Sequence, residues 1–432
     1  MRVVLMLQGP MGPFFNRLAK DLLQQDCAVY KVNFNGGDDF FYRKNSAGEV
    51  YHYRGDVADW SDYLETLVKT LAVTTIYLYG DCRVYHRIAI SVAERLAINV
   101  VCFEEGYVRP DYITVEQNGV NGYSALCRCN SGTTVPTLSQ LPQSVGKNLR
   151  QRIHYASLYY ISGLIKQWYY SRYQHHRSFS VFYEAFSWVR CAFRVYYYNK
   201  RESSKVDNLL RRYRKNYFLV PLQIVQDSQI AFHSQYNSLV EFIEEVISSF
   251  AKNADKQQRL VFKHHPMDMG HTCYLKTITR YAEQYGISDR VIYIHSGHQP
   301  SLLKGAKGVV TINSTMGLSS IHHGTPVITL GKAIYDKAGL TFQGTLDKFW
   351  QKPGSVNRRK AREFILYLTE LTQVNGNFYK RVESPTLAHS GLHLLSEQQM
   401  QLLLGKRRLQ AALEITANQN SLSFAETKQK PL

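Results

Sequence analysis

Residues 98–111 read Ile98-Asn99-Val100-Val101-Cys102-Phe103-Glu104-Glu105-Gly106-Tyr107-Val108-Arg109-Pro110-Asp111. The first six form a short apolar run, and β-branched and aromatic residues in a run of that length predict a buried strand. Two adjacent carboxylates follow, then a glycine that lets the backbone turn sharply. In an open α/β sheet, ligands bind in the crevice beyond the carboxyl ends of the strands, so the position itself points to chemistry for Glu104 and Glu105. The alternative is a pair of solvated loop acids, one matched by Arg109, because structural ion pairs also hold carboxylates in place.

Outward from this stretch, strand and helix alternate. Strands are predicted over 3–7, 28–34, 75–79 and 98–103, and helices with apolar residues at helical spacing over 14–24, 61–70 and 85–96. That alternation predicts a doubly wound parallel sheet. It resumes with strands over 217–222, 259–263, 290–294, 309–312 and 326–330 and helices over 238–253 and 274–285. The fold class is therefore α/β, with two Rossmann-like lobes and a central cleft. A chain of 432 residues is too long for one ordinary core. The expected boundaries are an N-terminal lobe over 1–215, a C-terminal lobe over 216–345, further helices over 346–415, and a polar, disordered tail over 416–432.

Composition is globular, with 44% hydrophobic and 20% charged residues. The seven cysteines are scattered, and Cys127-Arg128-Cys129 has no second pair to complete a zinc site, so a reducing cytoplasm fits. The N-terminal apolar run reads as a first strand, too short for a signal peptide. No stretch approaches the roughly 20 apolar residues of a membrane span. The net charge of +18 is concentrated: residues 147–215 hold fifteen Lys and Arg, three acids and seventeen aromatics. This basic aromatic helical insertion suits an anionic lipid surface, where rings sit at headgroup level. It also suits single-stranded nucleic acid, or helices that pack their rings on a core and leave a solvated basic face.

The second lobe carries its own constellation. Lys263-His264-His265-Pro266 closes a strand with a cation and two imidazoles, and Pro266 fixes the turn. Asn313-Ser314-Thr315 leads from a strand into a helix, where free amides, the helix dipole and two hydroxyls suit a phosphate; an ordinary helix cap is the plainer reading. His264 and His265 lack a His or Cys partner at zinc spacing. There is neither a Gly-rich Rossmann fingerprint nor a Walker loop, since Gly9-Pro10-Met11-Gly12 lacks the lysine and hydroxyl.

These pieces carry a resemblance to the bacterial capsule-synthesis β-Kdo transferases of the KpsS type. The matching segments are 7–15, 80–87, 103–111, Val220-Pro221-Leu222-Gln223 with Asp227-Ser228-Gln229, Lys263-His264-His265-Pro266, Gln299-Pro300 and Asn313-Ser314-Thr315. The resemblance implies a GT-B-like glycosyltransferase that moves Kdo from CMP-Kdo, with retention, to phosphatidylglycerol or its lyso form. It implies Glu105 as the carboxylate nucleophile, where relatives usually carry Asp, and Glu104 as the second choice. His265 would act with Lys263, Pro266, Gln299, Asn313, Ser314 and Thr315 on the donor. Gln8, Asp81, Arg83 and Arg109 would line the acceptor side. No metal or other cofactor and no nucleic acid is expected. The implied location is cytoplasmic, against the inner membrane through Arg201, Arg211, Arg212, Arg214 and Lys215. A second Kdo transferase and the capsule export machinery are the expected partners. A non-catalytic export or assembly protein binding lipid or polysaccharide is the alternative.

Overall fold

The computed structural model describes residues 2–43, 47–128, 140–175, 181–224 and 234–405. The chain divides into two compact units, Met1–Ser178 with Ile365–Leu432, and Phe179–Phe364. Both are α/β, as the alternating pattern predicts.

The described strands are numbered β1–β12 in chain order. In the first unit, β1 (Arg2–Met6), β2 (Cys27–Asn33), β3 (Glu49–His52), β4 (Thr75–Tyr79) and β5 (Asn99–Glu105) run parallel. β6 (Tyr112–Gln117) and β12 (Gln373–Asn375) complete the order β12-β6-β5-β4-β1-β2-β3, with β6 antiparallel to both of its neighbours. Side chains alternate across β5 as the pleat requires. Val101 and Phe103 join a core with Phe14, Phe15 and Leu18, whereas Val100 and Cys102 join one with Trp60 and Leu64.

In the second unit β7 (Tyr217–Pro221), β8 (Arg259–Lys263), β9 (Val291–Ile294), β10 (Gly308–Thr311) and β11 (Val327–Thr329) are all parallel, in the order β11-β10-β7-β8-β9. Their core is aromatic. Trp350 meets Phe218 edge-on at 4.9 Å, and its indole N–H donates to Ser249 Oγ at 2.7 Å.

Four expectations are corrected. Glu104 and Glu105 are the last two residues of β5, not loop residues beyond it, and a tight turn sends the chain back as β6. The first sheet is therefore mixed. The division after 215 fails because helices Val181–Arg201 and Ser203–Arg212 belong to the second unit, where the Glu202 carboxylate accepts the backbone N–H groups of His295 and Ser296 at 2.7 and 2.9 Å. A separate helical region over 346–415 also fails. Helix Leu346–Gln351 packs its Phe349 and Trp350 into the second unit's core, and the residues from Ile365 onward return to the first. The expected tail and Asp227-Ser228-Gln229 lie outside the described residues.

Helix Leu149–Ile165 is held in the first unit by close approach and by polar bonds. A Cβ on Gly36 would stand 2.1 Å from the Ser162 carbonyl oxygen, so only glycine admits the helix there. The Tyr159 hydroxyl accepts from Gln8 Nε2 and Asn35 Nδ2, both at 2.8 Å, and donates to Asp38 Oδ1 at 3.1 Å. Gly36→Ala is expected to lower unfolding free energy by about 1–3 kcal/mol, the usual range for overpacking. Urea denaturation at the wild-type midpoint would contradict this packing.

Candidate functional site

At the carboxyl end of β5 the two glutamates point to opposite faces and meet different surroundings. Glu104 is half-buried and accepts the backbone N–H of Glu105 at 3.0 Å. Burial pushes its carboxyl up to about 7, the adjacent charges of Glu105 and Asp81 adding to the effect and Arg83 opposing it. Glu105 faces a cation and a phenol instead. Arg152 Nη1 lies 3.7 Å from Glu105 Oε1, and the Tyr379 hydroxyl donates to the same oxygen at 3.3 Å. The Arg152 guanidinium also lies over the Tyr379 ring, 5.5 Å from its centroid. The Tyr79 phenol, at the end of β4, is held well above its ordinary range by burial and then by both glutamates.

The turn that follows is fastened from a distant part of the chain. A Cβ on Gly106 would come within 2.1 Å of the Tyr112 carbonyl oxygen, so the hairpin admits only glycine. Gln373 Oε1 accepts the Tyr107 N–H at 2.8 Å, and Asn375 Nδ2 donates to the Asp111 carbonyl at 2.6 Å. Arg109 is exposed and donates to the Gly106 carbonyl at 3.0 Å; the cation beside Glu105 is Arg152. Asp81 is buried, and its carboxylate accepts from the Val120 N–H at 2.8 Å and the Cys82 thiol at 3.2 Å. Gln8 likewise spends its amide on Tyr159 and Tyr173. Of the expected acceptor-side residues, Asp81 and Arg83 both act on the Glu104 charge, in opposite directions, and the Arg83 guanidinium lies 5.2 Å from the Tyr79 ring centroid.

In the second unit the strand ends supply a different chemistry. Lys263 closes β8 with a buried side chain, and burial lowers its ammonium pKa against the opposing pull of Glu202. It makes no side-chain hydrogen bond or ion pair with the described residues. His264 is buried beside Tyr293, whose hydroxyl lies 2.6 Å from Nδ1, and burial drops this imidazole to about 3, leaving it neutral. His265 accepts the Met267 N–H on Nδ1 at 3.2 Å, so its neutral ring carries the proton on Nε2, a donor. Ser314 is the N-cap of helix Thr315–His322, accepting from Met316 N–H at 3.2 Å, which is the plainer of the two expected roles.

β8 and β10 both flank β7, so Lys263 and Asn313 emerge at the same end of the sheet, roughly 10 Å apart by two strand spacings. The segment after β7 touches both: the Leu222 N–H donates to the Lys263 carbonyl at 2.9 Å, and Gln223 Nε2 donates to Asn313 Oδ1 at 2.9 Å. Gln299 is exposed at the start of helix Gln299–Gly305.

With this geometry in hand, comparisons identify the kin. The profile of the family described as "Capsule polysaccharide biosynthesis protein" matches residues 74–379. The chain belongs to that family. It is 40% identical over 379 residues to "Capsule polysaccharide export protein KpsS" of Escherichia coli, covering 87% of this chain and 96% of the relative. It is 36% identical over 390 residues to "Capsule polysaccharide modification protein LipB" of Neisseria meningitidis serogroup B, covering 88% and 93%. Among solved structures, the Thermosulfurimonas dismutans KpsC β-Kdo 2,7 transferase aligns over 94% of this chain and 100% of its own, with 14% identity and a TM-score of 0.42.

Within this capsule-family chain, several site residues were not legible in the sequence. Arg152 lies 47 positions and Tyr379 274 positions from Glu105, and no spacing signal links them. In the second unit, Tyr198 stacks on the His295 ring at 3.7 Å, and His295 Nδ1 lies 3.0 Å from Glu202. One signal did exist for Glu202, as a rare acid in a strongly basic segment. All five residues of the expected membrane set, Arg201, Arg211, Arg212, Arg214 and Lys215, are exposed, and Lys215 Nζ also donates to the Ala306 carbonyl at 3.0 Å.

The raised Glu104 value has a sign. The folded state holds its proton up to about pH 7 and the unfolded chain only to about 4.5, so the stability it contributes is complete below 4.5 and lost as pH rises to 7. In Glu104→Gln the unfolding free energy is expected to lose up to about 1.4 kcal/mol per pH unit of slope in that window. Slopes identical to wild type would contradict the assignment.

Proposed function

We propose that this capsule-family protein is a retaining β-Kdo transferase that moves Kdo from CMP-Kdo to phosphatidylglycerol or its lyso form, starting the linker of a capsular polysaccharide. The observation that carries the reading is the pair of strand-end glutamates in unlike environments: burial raises the Glu104 carboxyl, whereas Glu105 meets the Arg152 guanidinium and the Tyr379 hydroxyl. Glu105, with Arg152 as counter-charge, is the nucleophile. Its Oε attacks the anomeric carbon as the bond to the CMP phosphate oxygen breaks, and CMP leaves with the electron pair. Glu104, poised near neutrality, takes the proton of the acceptor hydroxyl. That oxygen then displaces Glu105 from the same carbon, and two inversions retain configuration.

The leaving phosphate is assigned to Lys263, to the Nε2–H of His265 and to the amides at the start of helix Thr315–His322. A buried ammonium with no partner among the described residues is suited to an anion that arrives with the substrate. Asn313, Ser314, Gln299 and Pro266 complete the donor set, and no metal is invoked. The lipid acceptor places the protein at the cytoplasmic face of the inner membrane, where a second Kdo transferase and the export machinery would take the product.

A second reading follows from the name of the Escherichia coli relative, which describes export: the chain would bind lipid or polysaccharide without transferring sugar. Incubation with CMP-Kdo and a lyso-phosphatidylglycerol analogue, followed by product mass, separates the two. Product is expected with wild type, with at least about a hundredfold loss in Glu105→Gln and in His265→Ala. Full turnover in both variants would refute the catalytic assignment, and lipid or polysaccharide binding with no product would favour the export reading.

A further inference from the structure

Of the sixteen exposed large apolar side chains among the described residues, twelve lie between 149 and 197. Helix Leu149–Ile165 holds the most regular set. Leu149, Ile153, Ile161 and Ile165 repeat at four- or eight-residue spacing, with Leu164 beside them and Trp168 one turn further on; all are 42–79% exposed. Each four-residue step turns by about 40°, so these side chains spread over a broad outward arc of the helix, the stripe on the side away from Tyr159. The inward face is built from tyrosines: the Tyr155 ring packs against the core and meets Phe41 edge-on at 5.6 Å, and Tyr159 is bonded to Gln8, Asn35 and Asp38. This is the reverse of an ordinary surface helix, which hides its aliphatic side.

We propose that this stripe inserts between the headgroups of an anionic lipid bilayer, with the helix lying in the plane of the surface. Charge selects that occupant. Lys147 and Arg150 are exposed at the start of the stripe, and a chain of net charge +18 repels a second copy while attracting an anionic surface. Trp168, 79% exposed at the far end, is the side chain that settles at headgroup depth. The length also fits: about 25 Å of helix at 1.5 Å per residue lies along a membrane, and no described helix is long and apolar enough to cross one. The inference rests on the membrane location in the proposed function and names the surface that provides it.

The test uses the full chain with phosphatidylcholine vesicles containing about a third phosphatidylglycerol, read by flotation. Wild type is expected to float, and the triple variant Ile153→Ser, Ile161→Ser, Ile165→Ser to lose at least about tenfold in partitioning, with an unchanged melting temperature because those side chains are solvent-facing. Brominated lipid should quench part of the tryptophan fluorescence, and Trp168→Phe should remove that part. Equal partitioning of the triple variant would overturn the proposal, as would absence of wild-type flotation or a solution dimer that the triple variant dissolves. No donor sugar is present, so failure here leaves sugar transfer to a soluble acceptor analogue untouched, and failure of that transfer leaves the vesicle result standing.

Discussion

An open sheet cannot leave its edge strand unpaired in a buried setting, and that constraint organises the first unit. β6 returns antiparallel beside β5, and its outer edge is closed by β12, a strand of three residues drawn from more than 250 positions later. The pairing also positions side chains. Gln373 and Asn375 of β12 fix the backbone of the turn after Glu105, and four residues beyond the strand Tyr379 reaches the Glu105 carboxylate. The candidate acid site thus depends on a hydrogen-bond ladder between Tyr112–Gln117 and Gln373–Asn375, segments far apart in the chain.

Much of the fold was legible because its central strands are continuous apolar runs. β4 and β8 fall where residues 75–79 and 259–263 place them, and β5 and β7 within two residues. The misses have physical causes. β6 carries Glu116 and Gln117, both buried, and the Glu116 carboxyl is lodged between the Tyr107 and Ser124 hydroxyls and pushed by burial to about 8. The buried acid and amide cut short the apolar alternation that Ile113 and Val115 begin. Arg109 was matched to Glu105 because proximity in sequence was the available guide, whereas Arg152 reaches that carboxylate through a helix packed against Gly36 and Gly37.

The two candidate sets follow one electrostatic logic. In the first unit, buried charge is answered within the protein: Asp39 accepts from Lys166 at 2.7 Å, from Tyr170 at 2.8 Å and from Asn33 at 2.9 Å, and these bonds outweigh burial and hold its carboxyl below the usual range. In the second unit Glu202 is satisfied in the same way by His295 and Ser296. Lys263 departs from that pattern, because its nearest acid already spends its oxygens on other donors. Desolvating an ammonium without a partner is costly, and the cost falls when an anion binds.

The tyrosine-lined inward face of helix Leu149–Ile165 explains how its aliphatic side chains come to face outward. Docking combines the Tyr155 ring packed against the core with hydrogen bonds through Tyr159 and, just beyond the helix, Tyr170 and Tyr173, so the aliphatic side chains are not required to hold it. Each buried phenol must then be fully bonded, because an unmet partner there would cost about 1–3 kcal/mol. Tyr159 meets the condition with two bonds accepted and one donated. The same helix carries Arg152 to Glu105. A change that loosened its inner face would therefore disturb both the outward apolar side chains and the charge beside Glu105, because one helix carries the two.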